Sequence, residues 1–227
     1  MTKIILTEDG SHTLSDDHSG ETYHSIHGAI NESKHIFIDA GYDYIDKDIS
    51  PIKIFEVGFG TGLNAFLTYH KAIEQKRKVQ YVTVEPFPIG EEIYTVLNYP
   101  QLLGDALCES VFRLMHSVKW DFPYVLSDNF VINKLKTKFQ DIALQDDQFH
   151  VIYYDAFSPV AQEELWSKES FDKCYNALVD GGVLLTYSAQ GQMKRNLKAA
   201  GFVVEGLPGP KGKREITRAI KVKNKDL

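Results

Sequence analysis

The sequence predicts an α/β fold built on a mostly parallel, twisted sheet. Three observations carry that prediction. Strand-like apolar runs alternate with helical patterns from residue 52 onward. A glycine-rich turn, Gly58-Phe59-Gly60-Thr61-Gly62, joins the first of these strands to the first helix. The inner strands read as near-continuous apolar runs, as expected of a sheet covered on both faces.

The elements follow in order. Residues 1–50 lack helical periodicity and are rich in His, Asp, Ser and Gly, with one strand-like run, His35-Ile36-Phe37-Ile38. They predict a short β-rich lead-in ahead of a main domain over 51–227. Residues 52–57 read as a strand, and a helix follows the glycine turn to about residue 73. A second strand covers 79–85, followed by helical stretches at about 90–98 and 101–114 and by a loop with extended segments over 116–140. A buried strand over 149–155 precedes a helix over about 161–178. Gly181-Gly182 lead into a strand over 183–187, and 192–200 are helical. Residues 202–205 and 215–222 close the chain as an antiparallel hairpin. Strands alternating with helices mean βαβ units.

Composition narrows the function. Of 227 residues, 43% are apolar and 25% charged, which excludes wholesale disorder. The balance of 25 Lys+Arg against 31 Asp+Glu gives a net charge of -6. That excludes a uniformly basic coat for nucleic acid but not an enzyme with a local basic face. No apolar run approaches the roughly 18 residues of a membrane span, and Ile4-Ile5-Leu6 is too short for a signal-peptide core. A cytoplasmic protein without membrane attachment is expected. Cys108 and Cys174 offer neither a metal pattern nor a disulfide framework and read as buried thiols. Five histidines, His12, His18, His24, His27 and His35, crowd the lead-in, but no pair has i,i+4 spacing. Solvated or hydrogen-bonded rings are expected there, and no metal.

The turn after the first strand carries the chemistry. Three glycines in five positions let a backbone turn tightly and approach a ligand at the carboxyl end of a strand. The spacing is Gly-x-Gly-x-Gly, with Glu56 two residues before it, rather than the Gly-x-Gly-x-x-Gly of a dinucleotide site. An acid at Glu56 would repel a pyrophosphate and suits a ligand bearing an ammonium and a sulfonium. Glu85 ends the second strand, where a carboxylate can accept from both ribose hydroxyls. Asp141 precedes a short helical run and is a candidate acceptor for an adenine amino group, or a helix N-cap. Glycine loop plus ribose carboxylate resembles the class I S-adenosylmethionine-dependent methyltransferases, and implies their Rossmann-like fold and that cofactor.

A longer set of motifs makes the resemblance specific. Phe55-Glu56-Val57-Gly58-Phe59-Gly60-Thr61-Gly62-Leu63-Asn64, then Glu85-Pro86-Phe87-Pro88, resemble segments of the MnmC-type tRNA-modifying methyltransferases. Asp155-Ala156-Phe157-Ser158-Pro159 with Glu164-Leu165-Trp166, and Gly181-Gly182 through Thr186-Tyr187-Ser188-Ala189, follow in the family's order. Gly201-Phe202 and Gly212-Lys213-Arg214-Glu215 complete the set, and Trp120 and the run Glu32 to Phe37 also find counterparts. Asp155-Ala156 stands where the family more often has Asp-Gly. Bifunctional members carry an FAD-dependent oxidase domain, and this sequence holds no second dinucleotide motif, so it resembles the methyltransferase-only form.

The resemblance implies methylation of the amine of 5-aminomethyl-(2-thio)uridine at the wobble position of tRNA. Glu56, Gly58, Phe59, Gly60, Thr61, Gly62, Asn64, Glu85 and Asp141 are then expected at the cofactor. Asp155 is expected to bind the substrate ammonium and orient or deprotonate it. Tyr154, Phe157 and Tyr187 are expected to shape the base pocket, since an unstacked anticodon-loop base is read by aromatic stacking. The anticodon backbone calls for cations. Residues 211–227 hold Lys211, Lys213, Arg214, Arg218, Lys221, Lys223 and Lys225 against Glu215 and Asp226, a charge of +5 that leaves -11 on the remainder. Lys213 and Arg214 are the expected substrate contacts. Lys194, Arg195 and Lys198 share a helix face, and Lys134, Lys136 and Lys138 alternate along a strand face. Two other readings stand beside this one. One is transfer to a small-molecule amine, by an N-methyltransferase or an aminopropyltransferase relative, against the latter of which stands its need for more carboxylates around the amine than Asp155 alone. The other is a catalytically silent tRNA-binding module.

Overall fold

A computed structural model describes residues 3–16, 20–104 and 106–222. The lead-in begins with β1 (Lys3–Leu6) and β2 (His12–Ser15), paired antiparallel as a separate hairpin. A short helix α1 (Ala29–Ser33) runs into a wider helical turn over Lys34–Asp39. The run His35–Ile38, expected as a strand, is therefore helical. Ile36, Phe37 and Ile38 are all buried, so the burial is contiguous rather than alternating, and apolar content alone does not separate the two states.

The main sheet has eight strands. They are β3 (Ile52–Val57), β4 (Val79–Val84), β5 (Pro123–Ser127), β6 (Phe130–Leu135), β7 (Phe149–Tyr154), β8 (Leu178–Thr186), β9 (Val203–Pro208) and β10 (Glu215–Ile220), in the order β5-β6-β4-β3-β7-β8-β10-β9. The five strands from β6 to β8 are parallel. β5 is antiparallel to β6 at one edge, and the β9–β10 hairpin is antiparallel at the other. The extended segments expected within 116–140 are thus the β5–β6 pair, while Gly181 and Gly182 lie inside β8 rather than before it.

Both faces of the sheet are covered. The main-sheet helices are α2 (Leu63–Gln75), α3 (Glu91–Tyr94), α4 (Tyr99–Leu103), α5 (Ala106–Ser117), α6 (Lys168–Ala177) and α7 (Gly191–Ala199). On one face Ile52 and Ile54 pack with Phe66 of α2, Phe112 of α5 and the lead-in residues Ile36, Phe37 and Tyr42. On the other, Phe55 and Val57 pack with Phe171 and Cys174 of α6 and Leu197 of α7. α6 starts where Ser167 accepts from the Ser170 N–H at 3.2 Å, a side-chain N-cap.

Cys174 is buried and Cys108 half-buried. His12, His24, His27 and His35 each lie within hydrogen-bond distance of a partner, and His18 falls outside the described residues. Among the described residues no group of His, Cys, Asp and Glu could hold a metal ion, and no helix is long and apolar enough to cross a membrane.

Candidate active site

The carboxyl ends of β3, β4 and β7 open into one cleft of about 1570 Å³. The chain leaves β3 through Gly58, Gly60 and Gly62, all with left-handed φ (92°, 49° and 74°). At Gly58 the glycine is required twice over. Its φ disfavours a side chain, and a Cβ there would lie 2.8 Å from the Asp155 carbonyl oxygen. The Gly58 and Phe59 N–H groups donate to Val84 O at 3.0 and 3.3 Å, stitching the turn to the end of β4.

Glu85 stands just beyond β4 and lines the cleft. The Gly60 N–H donates to Glu85 Oε2 at 3.1 Å and the Phe87 N–H to Glu85 Oε1 at 2.9 Å. Two backbone donors aim the carboxylate, and each oxygen keeps a lone pair for a ligand. Burial nonetheless raises its pKa above the usual carboxylate range, against those two bonds. Asp141 is exposed at the cleft mouth, at the end of a single 3₁₀ turn over Phe139–Asp141 rather than at a helix N-cap. Lys173 Nζ holds that turn by donating to Phe139 O, Gln140 O and Ile142 O at 2.9, 2.8 and 3.0 Å.

Asp155 follows β7 across the glycine turn. Its N–H donates to Val57 O at 3.1 Å, and Asn64 Nδ2 of α2 donates to its Oδ2 at 2.8 Å. Burial lifts the carboxyl to about 7, only partly offset by the Asn64 bond. Glu32 lifts it further and Lys213 opposes that. The loop beyond is tied down. The Phe157 N–H donates to Gln162 Oε1 at 3.0 Å, and Trp166 Nε1 donates to Phe157 O at 2.8 Å. Glu21 accepts from the Ser158 N–H at 2.9 Å and from the Ser158 hydroxyl. Tyr187 O–H donates to Ala156 O at 2.9 Å.

Of the residues singled out in the sequence, Gly58, Phe59, Gly60, Thr61, Glu85, Asp141, Asp155, Phe157, Tyr187 and Lys213 line this cleft. Asn64 sits behind it and touches Asp155. Gly62 lies beneath the turn, where a Cβ would meet His116 Nε2 at 2.8 Å. Four placements correct the sequence reading. Glu56 is fully buried, with Tyr81, Thr83 and Asn64 as its polar neighbours, and does not reach the cleft. Burial raises its carboxyl well above the usual range, which disfavours a negative charge there. Tyr154 is also fully buried, packed edge-on to Trp166 with its hydroxyl donating to Leu165 O, so it cannot face a base. Lys134 is buried too: Nζ donates to His116 O at 2.5 Å and lies 4.5 Å from the Trp120 ring centroid. It is no surface phosphate contact.

The fourth correction concerns the basic edge. Lys211 pairs with Glu8 at 2.7 Å, Arg218 with Glu205 at 2.8 Å and Lys221 with Asp147 at 2.8 Å. Lys213 pairs with Glu32 at 2.9 Å and Lys194 with Glu215. Much of the charge summed from the sequence is therefore matched by carboxylates of the acidic body. Lys223, Lys225 and Asp226 lie outside the described residues. Exposed Arg214 lines, with Lys213 and Tyr187, a shallow concavity of about 610 Å³ beside the cleft.

The lead-in supplies what the sequence reading missed. Tyr23, His24 and Glu32 all line the cleft. The Tyr23 ring meets Phe157 edge-on at 5.1 Å, and His24 Nε2 lies 2.8 Å from Thr61 Oγ1. Burial lowers His24 to about 4, so its ring is neutral at pH 7. No periodicity marks these residues. The one available signal was that Glu32 opens the run Glu32 to Phe37.

Comparisons with known proteins bear on the fold and the family resemblance. A family described as S-adenosyl-L-methionine-dependent methyltransferase matches residues 127–222. The tRNA 5-methylaminomethyl-2-thiouridine biosynthesis bifunctional protein MnmC of Cupriavidus metallidurans is 29% identical over 228 residues, covering 95% of this chain and 33% of that protein. The protein of the same name from Leptospira borgpetersenii is 26% identical over 211 residues, covering 88% and 32%. The chain thus spans about a third of the length of these relatives. Among solved structures, MnmC2 from Aquifex aeolicus superposes with a TM-score of 0.79 at 24% identity, covering 98% of this chain and 71% of that one. Spermidine synthase from Thermotoga maritima gives 0.59 at 18% identity, covering 97% and 69%. Both show the fold. The resemblance to the MnmC-type family drawn from the motifs is borne out.

Proposed function

We propose that this chain is an S-adenosyl-L-methionine-dependent methyltransferase acting on the amine of 5-aminomethyl-(2-thio)uridine at the tRNA wobble position. The product is the 5-methylaminomethyl base. The observation that carries this reading is one cleft with Glu85 and Asp155 at its two poles and the glycine turn between them. It acts where tRNA is modified, in the cytoplasm.

The residues present fit the cofactor. Glu85 keeps acceptor capacity for two ribose hydroxyls, Asp141 stands at the mouth for the adenine amino group, and Gly58 and Gly60 leave their backbone open to close approach. When bound, the cofactor supplies an electrophilic methyl group. Asp155 does the chain's part of the chemistry. A primary ammonium must shed a proton before its nitrogen can attack, and a carboxyl near 7 is matched to holding such a cation and taking its proton at neutral pH. Asp155 would take the proton from the nitrogen, freeing the lone pair to attack the methyl group that the bound cofactor would supply, with the S–C bond breaking and S-adenosylhomocysteine leaving. Phe157 and Tyr187, pinned at Gln162, Trp166 and Ala156, supply rigid rings for the base. Arg214 and its concavity meet the anticodon backbone.

Incubation with labelled S-adenosylmethionine and tRNA carrying the aminomethyl group should place label in the 5-methylaminomethyl nucleoside, and tRNA lacking that group should stay unlabelled. Label in a free small-molecule amine and none in tRNA would favour the runner-up reading, for which the several carboxylates that line the cleft beside Asp155 are the supporting observation. Glu85→Ala should weaken S-adenosylhomocysteine binding by roughly 10–100-fold in calorimetry, the equivalent of about 1.5–3 kcal/mol for charge-assisted hydrogen bonds. An affinity within twofold of wild type would remove Glu85 from the cofactor site.

A further inference from the structure

We infer that Glu32 is the second carboxylate of the substrate-amine site, and that the Lys213 ammonium stands in the place the substrate ammonium takes. This rests on the methyl-transfer reading and names how the same cleft selects its substrate.

Glu32, at the lead-in helix α1, is 7% exposed and lines the cleft together with Asp155. The Ser25 N–H fixes one of its oxygens, donating to Oε1 at 2.9 Å. The other, Oε2, meets Lys213 Nζ at 2.9 Å. The same Nζ lies 4.6 Å from the centroid of the Tyr187 ring, a cation–π contact. Tyr187 is itself held by Ala156, the residue after Asp155. One ammonium is thus surrounded by a buried carboxylate, an aromatic face and the field of Asp155, which Lys213 and Glu32 shift in opposite senses.

The two partners of this pair differ in exposure. The Glu32 side chain is 9% exposed and cannot leave without disturbing the lead-in, whereas that of Lys213 is 28% exposed and enters from the solvent side. A purely structural buried pair gains little net stability after desolvation. A fixed carboxylate with a replaceable cation is instead a preformed ammonium site. The aminomethyl group carries the same head as lysine, a primary ammonium with three donors. Exchange of one ammonium for the other leaves Glu32 compensated throughout. The displaced Lys213 then swings toward the concavity it shares with Arg214, where backbone phosphate would receive it. A uridine with a neutral 5-substituent cannot make the exchange, so the pair discriminates by charge.

The test uses the complex of the full chain with S-adenosylhomocysteine and the nucleoside 5-aminomethyluridine, which carries no phosphate. Glu32→Gln should weaken nucleoside binding by at least tenfold, and Lys213→Met should tighten it, with S-adenosylhomocysteine affinity unchanged in both. With aminomethyl-tRNA, Glu32→Gln should raise KM far more than it lowers kcat, and Glu32→Asp should recover part of the loss. Nucleoside binding within twofold of wild type in Glu32→Gln would overturn the inference, as would weakened binding in Lys213→Met. The latter variant decides alone if Glu32→Gln does not fold. Failure of the wild type itself to methylate aminomethyl-tRNA would instead overturn the functional reading on which the inference rests.

Discussion

Asp155→Asn should lower methyl transfer to aminomethyl-tRNA by about 10²- to 10⁴-fold, the range for a lost general base. S-adenosylhomocysteine affinity should stay within about threefold, because Asn keeps the backbone bond to Val57 and a side chain of the same size. Single-turnover transfer with calorimetry in parallel separates the two effects, and a variant that loses the cofactor would show that Asp155 serves binding instead. The wild-type rate should rise with pH along a limb centred near 7, where the Asp155 carboxyl ionises. The groups facing that carboxyl include Asn64 from α2, Glu32 and Lys213 across the cleft, Tyr187, and Glu56 and Tyr81 from β3 and β4. Asn64→Ala removes the bond that stabilises the carboxylate, so its limb should move to higher pH.

Asp155→Asn should also make the protein more stable. Asp155 titrates near 7 in the fold against a usual value of 3.8, so the folded state binds the proton more tightly than the unfolded chain does. Stability from this group is present below about 4 and is lost as pH rises toward 7. Asp155→Asn should therefore melt above wild type at pH 8, with the gap closing at pH 4. Activity and stability moving in opposite directions is the mark of a carboxyl kept partly desolvated for its chemistry.

The fold was legible because the inner strands are apolar runs punctuated by glycine, a pattern that a doubly covered parallel sheet imposes. β3, β4 and β7 fall where that pattern put them. Glu85 and Asp155 were legible for a related reason: they stand just past the carboxyl ends of their strands, where a side chain can reach a ligand. Glu56 and Tyr154 lie within the strands, and both side chains are fully buried away from the cleft. Lys134 carried an unused signal, since it shares strand parity with buried Phe130 and Ile132. Tyr23, His24 and Glu32 were not legible. Their positions follow from contacts such as His24 with Thr61, 37 residues away, which no local pattern encodes. The basic edge misled because a sum of charges along the chain ignores the carboxylates that the fold brings to Lys211, Lys213, Arg218 and Lys221.

Gly58→Ala should cost both cofactor binding and stability, and the reason lies in what surrounds the new methyl group. The φ of 92° alone strains an alanine by about 1–3 kcal/mol. The added Cβ would also lie 2.8 Å from Asp155 O, a backbone atom with little room to retreat. Asp155 N–H is bonded to Val57 O at 3.1 Å and Gly58 N–H to Val84 O at 3.0 Å, so relief must come from the turn or from the Asp155 loop. Either movement misplaces a pole of the cleft. Gly181→Ala is the matched control, with a similar φ of 78° and nothing within 4 Å of its Cβ, inside β8 and away from the cleft. It should lower the melting temperature through backbone strain while leaving S-adenosylhomocysteine affinity unchanged. Gly58→Ala should lower the melting temperature further and weaken that affinity by at least tenfold in calorimetry. Equal affinities in the two variants would mean that the turn at Gly58 does not shape the cofactor site.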